Sequence, residues 1–127
     1  MKINVVDNLP HVTATIKRGD DEAMFKTVLL DTGSAGSVFS VDVLREAGIE
    51  PTPEALIRRM VGIGGEEFVV DIPVDNLIVG TLQAGGFTIE AGNLDYGFDF
   101  DGILGFDFLQ QTGAVIDLSA MEIRSDG

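Results

Sequence analysis

The sequence predicts an all-β single domain with one or two short helices, and three observations support it. Residues 11–18 alternate, with Val12, Ala14 and Ile16 on one face and Thr13, Thr15 and Lys17 on the other, as a half-buried strand should. Sixteen glycines divide the apolar stretches into short pieces, and few long helical patterns survive between them. A hydrophobic content of 45% with a mean hydropathy of +0.26 excludes a disordered chain, and 127 residues is too short for two independent cores.

In chain order, residues 3–6 read as a short strand stopped by Asp7, Asn8 and Pro10. The strand 11–18 turns through Gly19, Asp20 and Asp21 into a second strand, 23–30, so the pair forms a hairpin whose far end carries Asp31. His11, the only histidine, is expected at a surface strand position. Val38 and Phe39 make a short apolar step, after which Ser40 is placed to cap a helix over 41–47 with Val41, Leu44 and Ala47 inward and Gly48 at its end. Pro51 and Pro53 mark a surface connection. Residues 55–70 hold two β-prone arms around a glycine-rich centre, a hairpin with a flexible tip, although a plain hairpin explains the same glycines.

Further strands are expected at 72–79 and 87–91, separated by Gly80 and by Gly85 with Gly86. The acidic, aromatic stretch 94–101 lacks a period and reads as a loop with anchored aromatics. A small apolar strand at 103–105 leads into a short helix, 106–111, that stops at Gly113. Two last strands, 114–118 and 121–124, flank Ser119 and Ala120.

Charge and residue usage exclude several functions. Twenty-one acids against eight Lys and Arg give a formal charge of -13, which phosphate backbones and anionic membranes repel, so nucleic-acid and membrane-surface binding are not expected. The excess acid either serves solubility or draws a cationic partner. With no cysteine there is neither a disulfide framework nor a thiolate metal site. The first residues hold no apolar core of signal-peptide length and no run approaches a membrane span, so the expected compartment is the cytoplasm.

Chemistry concentrates at VLLDTGSAGSVFS, residues 28–40. An apolar run ends at Asp31, and Thr32, Gly33, Ser34, Ala35 and Gly36 follow, so a buried strand delivers one carboxylate into a tight polar loop. Gly33 and Gly36 allow backbone conformations that a Cβ resists and bring main-chain N–H groups near the acid. From these residues alone, an ordinary Asx-turn explains the loop as well as an active site does.

Two later features separate these readings. About thirty residues on stands Val61-Gly62-Ile63-Gly64-Gly65, and near the end Asp101-Gly102-Ile103-Leu104-Gly105 leads into Phe106-Asp107-Phe108-Leu109. With Leu30-Asp31-Thr32-Gly33-Ser34 before them, these segments resemble the retropepsin-like aspartic proteases, single-domain homodimeric relatives of pepsin, over most of residues 11–118. The resemblance implies a closed or partly open acid-protease barrel over 1–127, a catalytic loop at 30–36, a flap hairpin at about 56–72 and the Ile-Leu-Gly step with its helix at 103–112. It implies an aspartic endopeptidase without cofactor, acting on an extended peptide or protein as an obligate homodimer, because the chain holds one such aspartate and Gln111-Thr112-Gly113 carries an amide where a second acid would stand.

By the same resemblance Asp31 is the catalytic acid, Thr32 bonds to the partner loop, Gly33 lets the backbone approach and Ser34 donates to the carboxylate, where the plain alternative is a satisfied turn. Gly62, Ile63, Gly64 and Gly65 form the flap tip over the substrate, and Ile103 lines a side-chain pocket. Leu104 and Gly105 support the loop from beneath. Asp101, with Asp95 and Asp99, either makes the cleft acidic and favours a basic side chain or is a solvated acidic loop. Two departures stand out. The dimer-linked acid–arginine pair of viral members is missing, so that something else, for example packing of Phe106, must do its work, and residues 114–124 look like a hairpin where those members end in a single strand. The rival reading is a non-catalytic dimerisation or peptide-binding module of the same fold. A phosphate loop of an actin-like ATPase would need a much longer chain.

Overall fold

The computed structural model describes residues 1–53, 57–62, 65–94 and 99–126. Strands β1 (Asn4–Val6), β2 (Leu9–Arg18), β3 (Asp21–Leu30) and β4 (Val38–Ser40) precede helix α1 (Val41–Glu46). There follow β5 (Ile57–Gly62), β6 (Gly65–Val79), β7 (Leu82–Gly92), β8 (Gly102–Leu104), helix α2 (Phe106–Thr112), β9 (Val115–Asp117) and β10 (Glu122–Arg124). The sheet order β1-β2-β3-β8-β4-β7-β6-β5 closes through a β2–β6 pairing into a six-stranded barrel, with β1 and β5 as outriders. The fold is the all-β acid-protease barrel with two short helices.

Local chemistry explains most of the boundaries. Asp7 and Asn8 take positive φ values of 54° and 62°, so β1 and β2 meet in a two-residue turn of the kind that favours Asn and Asp. Ser40 caps α1 by accepting from Val43 N–H at 3.4 Å, and Gly48 follows with φ 85°. Leu44 is fully buried, whereas Val41 and Ala47 are half-buried against the core. Gly113, at φ 63°, ends α2. The C-terminal hairpin β9–β10 is stitched to the chain's own beginning, since Ile3 N–H donates to Met121 O at 2.8 Å and Ile123 N–H to Met1 O at 2.9 Å.

Three expectations need correction. The strand expected at 72–79 is the second half of a 15-residue β6 that runs through Pro73. Pro73 pairs with β7 alone, at a stretch of β6 lying between its β5 and β2 partners, so the absent N–H interrupts no second ladder. Gly85 and Gly86 do not separate strands either. They lie inside β7, where Gly86 takes φ 58° across an irregular step and pairing resumes on both sides. His11 is buried, with Nδ1 2.9 Å from Leu9 O.

The main core fills the barrel with Val12, Ala14, Ile16, Phe25, Val28, Phe39, Leu104 and Phe108 among others. A second, smaller cluster joins Val38, Val69, Leu94 and Ile103, with Leu29 and Phe100 packed against it. Which cluster a β3 side chain enters is set by one irregularity. Ala23 and Phe25 face the main core at odd positions, yet Val28 and Leu30 face it at even ones. Between Val12↔Val28 and Ala14↔Phe25 the β2–β3 register slips, so β3 holds one extra residue at Lys26–Thr27, a β-bulge. No helix among the described residues is long and apolar enough to cross a membrane.

Candidate active site

Asp31 continues the β3–β8 ladder by one rung, donating its N–H to Leu104 O at 3.0 Å, and then the chain turns. Its carbonyl accepts from Ser34 N–H at 3.2 Å, and its Oδ1 accepts from Gly33 N–H at 2.9 Å. The Asx-turn geometry is therefore present, and it leaves Oδ2 without a hydrogen bond among the described residues. Asp31 is half-buried, while Thr32 and Gly33 are exposed at the rim.

The loop glycines are there for room rather than for unusual dihedrals, because neither Gly33 nor Gly36 has a positive φ. A Cβ on Gly36 would overlap the carboxylate of buried Glu90, standing 2.8 Å from its Cδ. A Cβ on Gly105 would press into the carbonyls of Gly36 and Ser34, at 2.8 Å from the latter. Leu104 and Gly105 thus lie directly beneath the loop, and Phe106 N–H donates up to Ser34 O at 2.7 Å. The Ser34 hydroxyl donates to Gly36 O at 2.8 Å and not to Asp31, so it satisfies the turn.

Phe106 is 49% exposed in the single copy, and within that copy another contact ties the loop to the helix. The tie is polar. Ser37, with no exposed surface, donates its hydroxyl to Asp107 Oδ1 at 2.7 Å and accepts from Gly105 N–H at 2.9 Å. Its own N–H reaches Asp107 Oδ2 at 3.3 Å, and Asp107 Oδ1 also accepts from Phe108 N–H at 2.8 Å. One buried hydroxyl and one carboxylate therefore bind the end of the loop to the start of α2, with every partner satisfied as a buried network requires. Sequence reasoning missed both residues. A serine among Ser34, Ala35 and Gly36 gives no sign of burial, and only the position of Asp107 in the first turn of a helix hinted at a role.

Ile103 belongs to the smaller cluster, opposite Leu29 on β3 and Val38 on β4, while its neighbour Leu104 faces the main core. Leu29 and Asp31 share a face of β3, so this apolar group lies on the carboxylate's side of the barrel. The β5–β6 hairpin is present with Gly62 opposite Gly65, whereas Ile63 and Gly64 lie outside the described residues, as does Asp95. Val69, at the base of that hairpin, packs in the same cluster as Ile103. An open hollow of about 360 Å³ is lined by Thr27, Asp99, Phe100 and Asp101. The carboxylate of Asp101 does not project freely into it, because it accepts from Lys26 N–H at 3.1 Å and Thr27 N–H at 3.2 Å.

Among the described residues no group of three His, Asp or Glu side chains is arranged to hold a metal ion. A family model described as aspartyl protease matches residues 12–108, from β2 through the loop and the β5–β6 hairpin into the first turn of α2. No curated protein gives a match. With a barrel of the acid-protease kind and a family match over most of its length, the chain belongs to the retropepsin-like aspartyl proteases.

Proposed function

We propose that the protein is an aspartic endopeptidase that works as a homodimer, with Asp31 of each copy at a shared site. The observation that supports this reading best is the state of Asp31. It is held at the end of a core strand by its backbone and by a single carboxylate bond, so one oxygen remains for chemistry. Hydrolysis without a covalent intermediate needs one group to take a proton from water and another to give one to the scissile carbonyl. Two neighbouring carboxylates sharing one proton do both, an arrangement for which aspartic proteases are the standing example.

In this mechanism the ionised Asp31 takes a proton from water as its oxygen attacks the carbonyl carbon, and the protonated mate gives its proton to the carbonyl oxygen. As the tetrahedral diol collapses, Asp31 gives the proton it took to the amide nitrogen, a diol hydroxyl gives its proton back to the mate, the C=O bond re-forms and the C–N bond breaks. Thr32, exposed at the rim, would bond to the partner's loop and hold the two carboxylates in register. The β5–β6 hairpin would close over an extended peptide, contributing main-chain bonds that any sequence can make. Selectivity would then fall to the apolar group of Leu29, Ile103 and Phe100, which suits an apolar side chain beside the scissile bond.

Incubation with a diverse peptide library from acidic to neutral pH, alongside Asp31→Asn, tests this. Cleavage by the wild type alone is the expected result. Equal cleavage by both would remove Asp31 from the mechanism, and none by either would favour a dimerisation or peptide-binding module. Light scattering adds an independent check, since a strict monomer at micromolar concentration would leave each Asp31 without its mate.

A further inference from the structure

We propose that Asp101 is a positioning residue for Asp31, acting through the β-bulge of β3, and that it does not bind substrate; this rests on the catalytic reading of Asp31. The extra residue at Lys26–Thr27 leaves two successive amides of β3 out of regular pairing with β2. The two carboxylate oxygens of Asp101 take those two amides, Oδ2 from Lys26 and Oδ1 from Thr27. The Asp101 backbone is engaged as well, since its N–H donates to Thr27 O at 3.0 Å and its carbonyl accepts from Ser40 N–H at 2.9 Å. Side chain and main chain together pin the bulge to β8 and to the end of β4.

The bulge decides where Asp31 points. Ahead of it, odd-numbered residues of β3 face the main core, and beyond it even-numbered ones do. Were the ladder regular, Leu29 and Asp31 would continue the Phe25 face and the carboxylate would enter the barrel interior, where an ionised group is costly. With the bulge, Val28 and Leu30 fill the core and Asp31 emerges on the face shared with Leu29 and the Ile103 cluster. A carboxylate four residues away in the β3–β8 ladder is thus the capping group of the irregularity that aims the catalytic one.

The test compares the full-length wild type, Asp101→Ala, Asp101→Asn and Asp31→Asn on a peptide mixture with and without Lys and Arg, together with amide exchange by NMR. In Asp101→Ala, Lys26 and Thr27 N–H should lose protection, the Gly33 N–H resonance that reports its bond to Asp31 should move, and kcat should fall about ten- to a hundredfold, as for a small misalignment of reacting groups. KM and the mass by light scattering should hold. Asp101→Asn keeps one carbonyl acceptor and should recover part of kcat, and it carries the comparison if Asp101→Ala does not fold. A variant with unchanged kcat but raised KM for basic peptides alone would overturn the proposal in favour of direct substrate contact. If the wild type cleaves no better than Asp31→Asn, the protease reading fails separately. The Gly33 resonance then decides: unmoved when the bulge amides lose protection, it overturns the positioning role, and shifted, it supports it.

Discussion

Asp31 and Asp101 are two carboxylates on one parallel ladder, the first ending β3 and the second preceding β8, yet their surroundings differ in kind. Asp101 has each oxygen on a backbone amide and its own N–H and carbonyl in the sheet. Asp31 has one oxygen on Gly33 and the other uncommitted among the described residues. An acid with both oxygens on main-chain donors fixes geometry, because moving it would strand those N–H groups, of which the Thr27 one is partly buried. An acid left with a vacant oxygen can exchange a proton. Charge and exposure alone do not separate them, since both are half-buried.

The largest effect expected is therefore asymmetric between the two. Asp31→Asn should lower peptide cleavage by about 10²–10⁴-fold, the usual contribution of a positioned acid or base, with little change in melting temperature. A large melting shift in Asp31→Asn would show that its carboxylate is structural and would erase the contrast.

The next comparison sets neighbours on opposite faces of β8 against each other. Leu104 has no exposed surface and lies in the main core, so Leu104→Ala should cost about 2–5 kcal/mol in chemical denaturation. Ile103, in the smaller cluster on the Asp31 side, should cost less when cut to alanine and should instead alter which peptides are cleaved. Equal destabilisation with unchanged peptide preference would mean that the smaller cluster is only core.

A smaller loss is expected from the Ser37–Asp107 tie. Ser37→Ala leaves Gly105 N–H without its acceptor and Asp107 without its shortest donor, at about 1–3 kcal/mol for a stranded buried donor. Ser37→Thr keeps the hydroxyl, and recovery of stability by threonine in thermal unfolding would separate loss of the bond from loss of room.

These contrasts also show what could be read from the sequence. The alternation in β2 and the glycines ending α1 and α2 are local signals, and the structure keeps them. The three family segments, read together, pointed to the barrel and to Asp31. The continuity of β6 through Pro73 was not legible, because it depends on which edges of that strand are occupied. The same holds for the bulge. Residues 23–30 look like an uninterrupted strand, and the slip is visible only against the register of β2 and the acid that arrives seventy-four residues later. Ser34, Ser37 and Asp107 follow this rule too, since a hydroxyl's partner is a matter of tertiary placement.

The smallest expected effect repeats the motif of Asp101 at an exposed turn. Asp117 Oδ1 accepts from Ala120 N–H at 2.9 Å in the β9–β10 hairpin, and Arg124 Nη1 lies 3.3 Å from Oδ2. The Ala120 bond is the main cause that holds its carboxyl below the ordinary value; desolvation works against it and Arg124 adds to it. A carboxyl depressed in the folded state binds its proton more readily when unfolded, so its stabilising contribution is complete above the unfolded pKa of about 4 and fades as pH falls through the folded value. Asp117→Asn should therefore melt slightly below wild type at neutral pH, with the difference shrinking in acid and reduced by salt wherever Arg124 contributes. A difference that stays constant from neutral pH into that acid range would show that the ionised carboxylate is not its source, whereas one that shrinks would mark main-chain capping, as at the β3 bulge, as a common use of acids at irregular points in this fold.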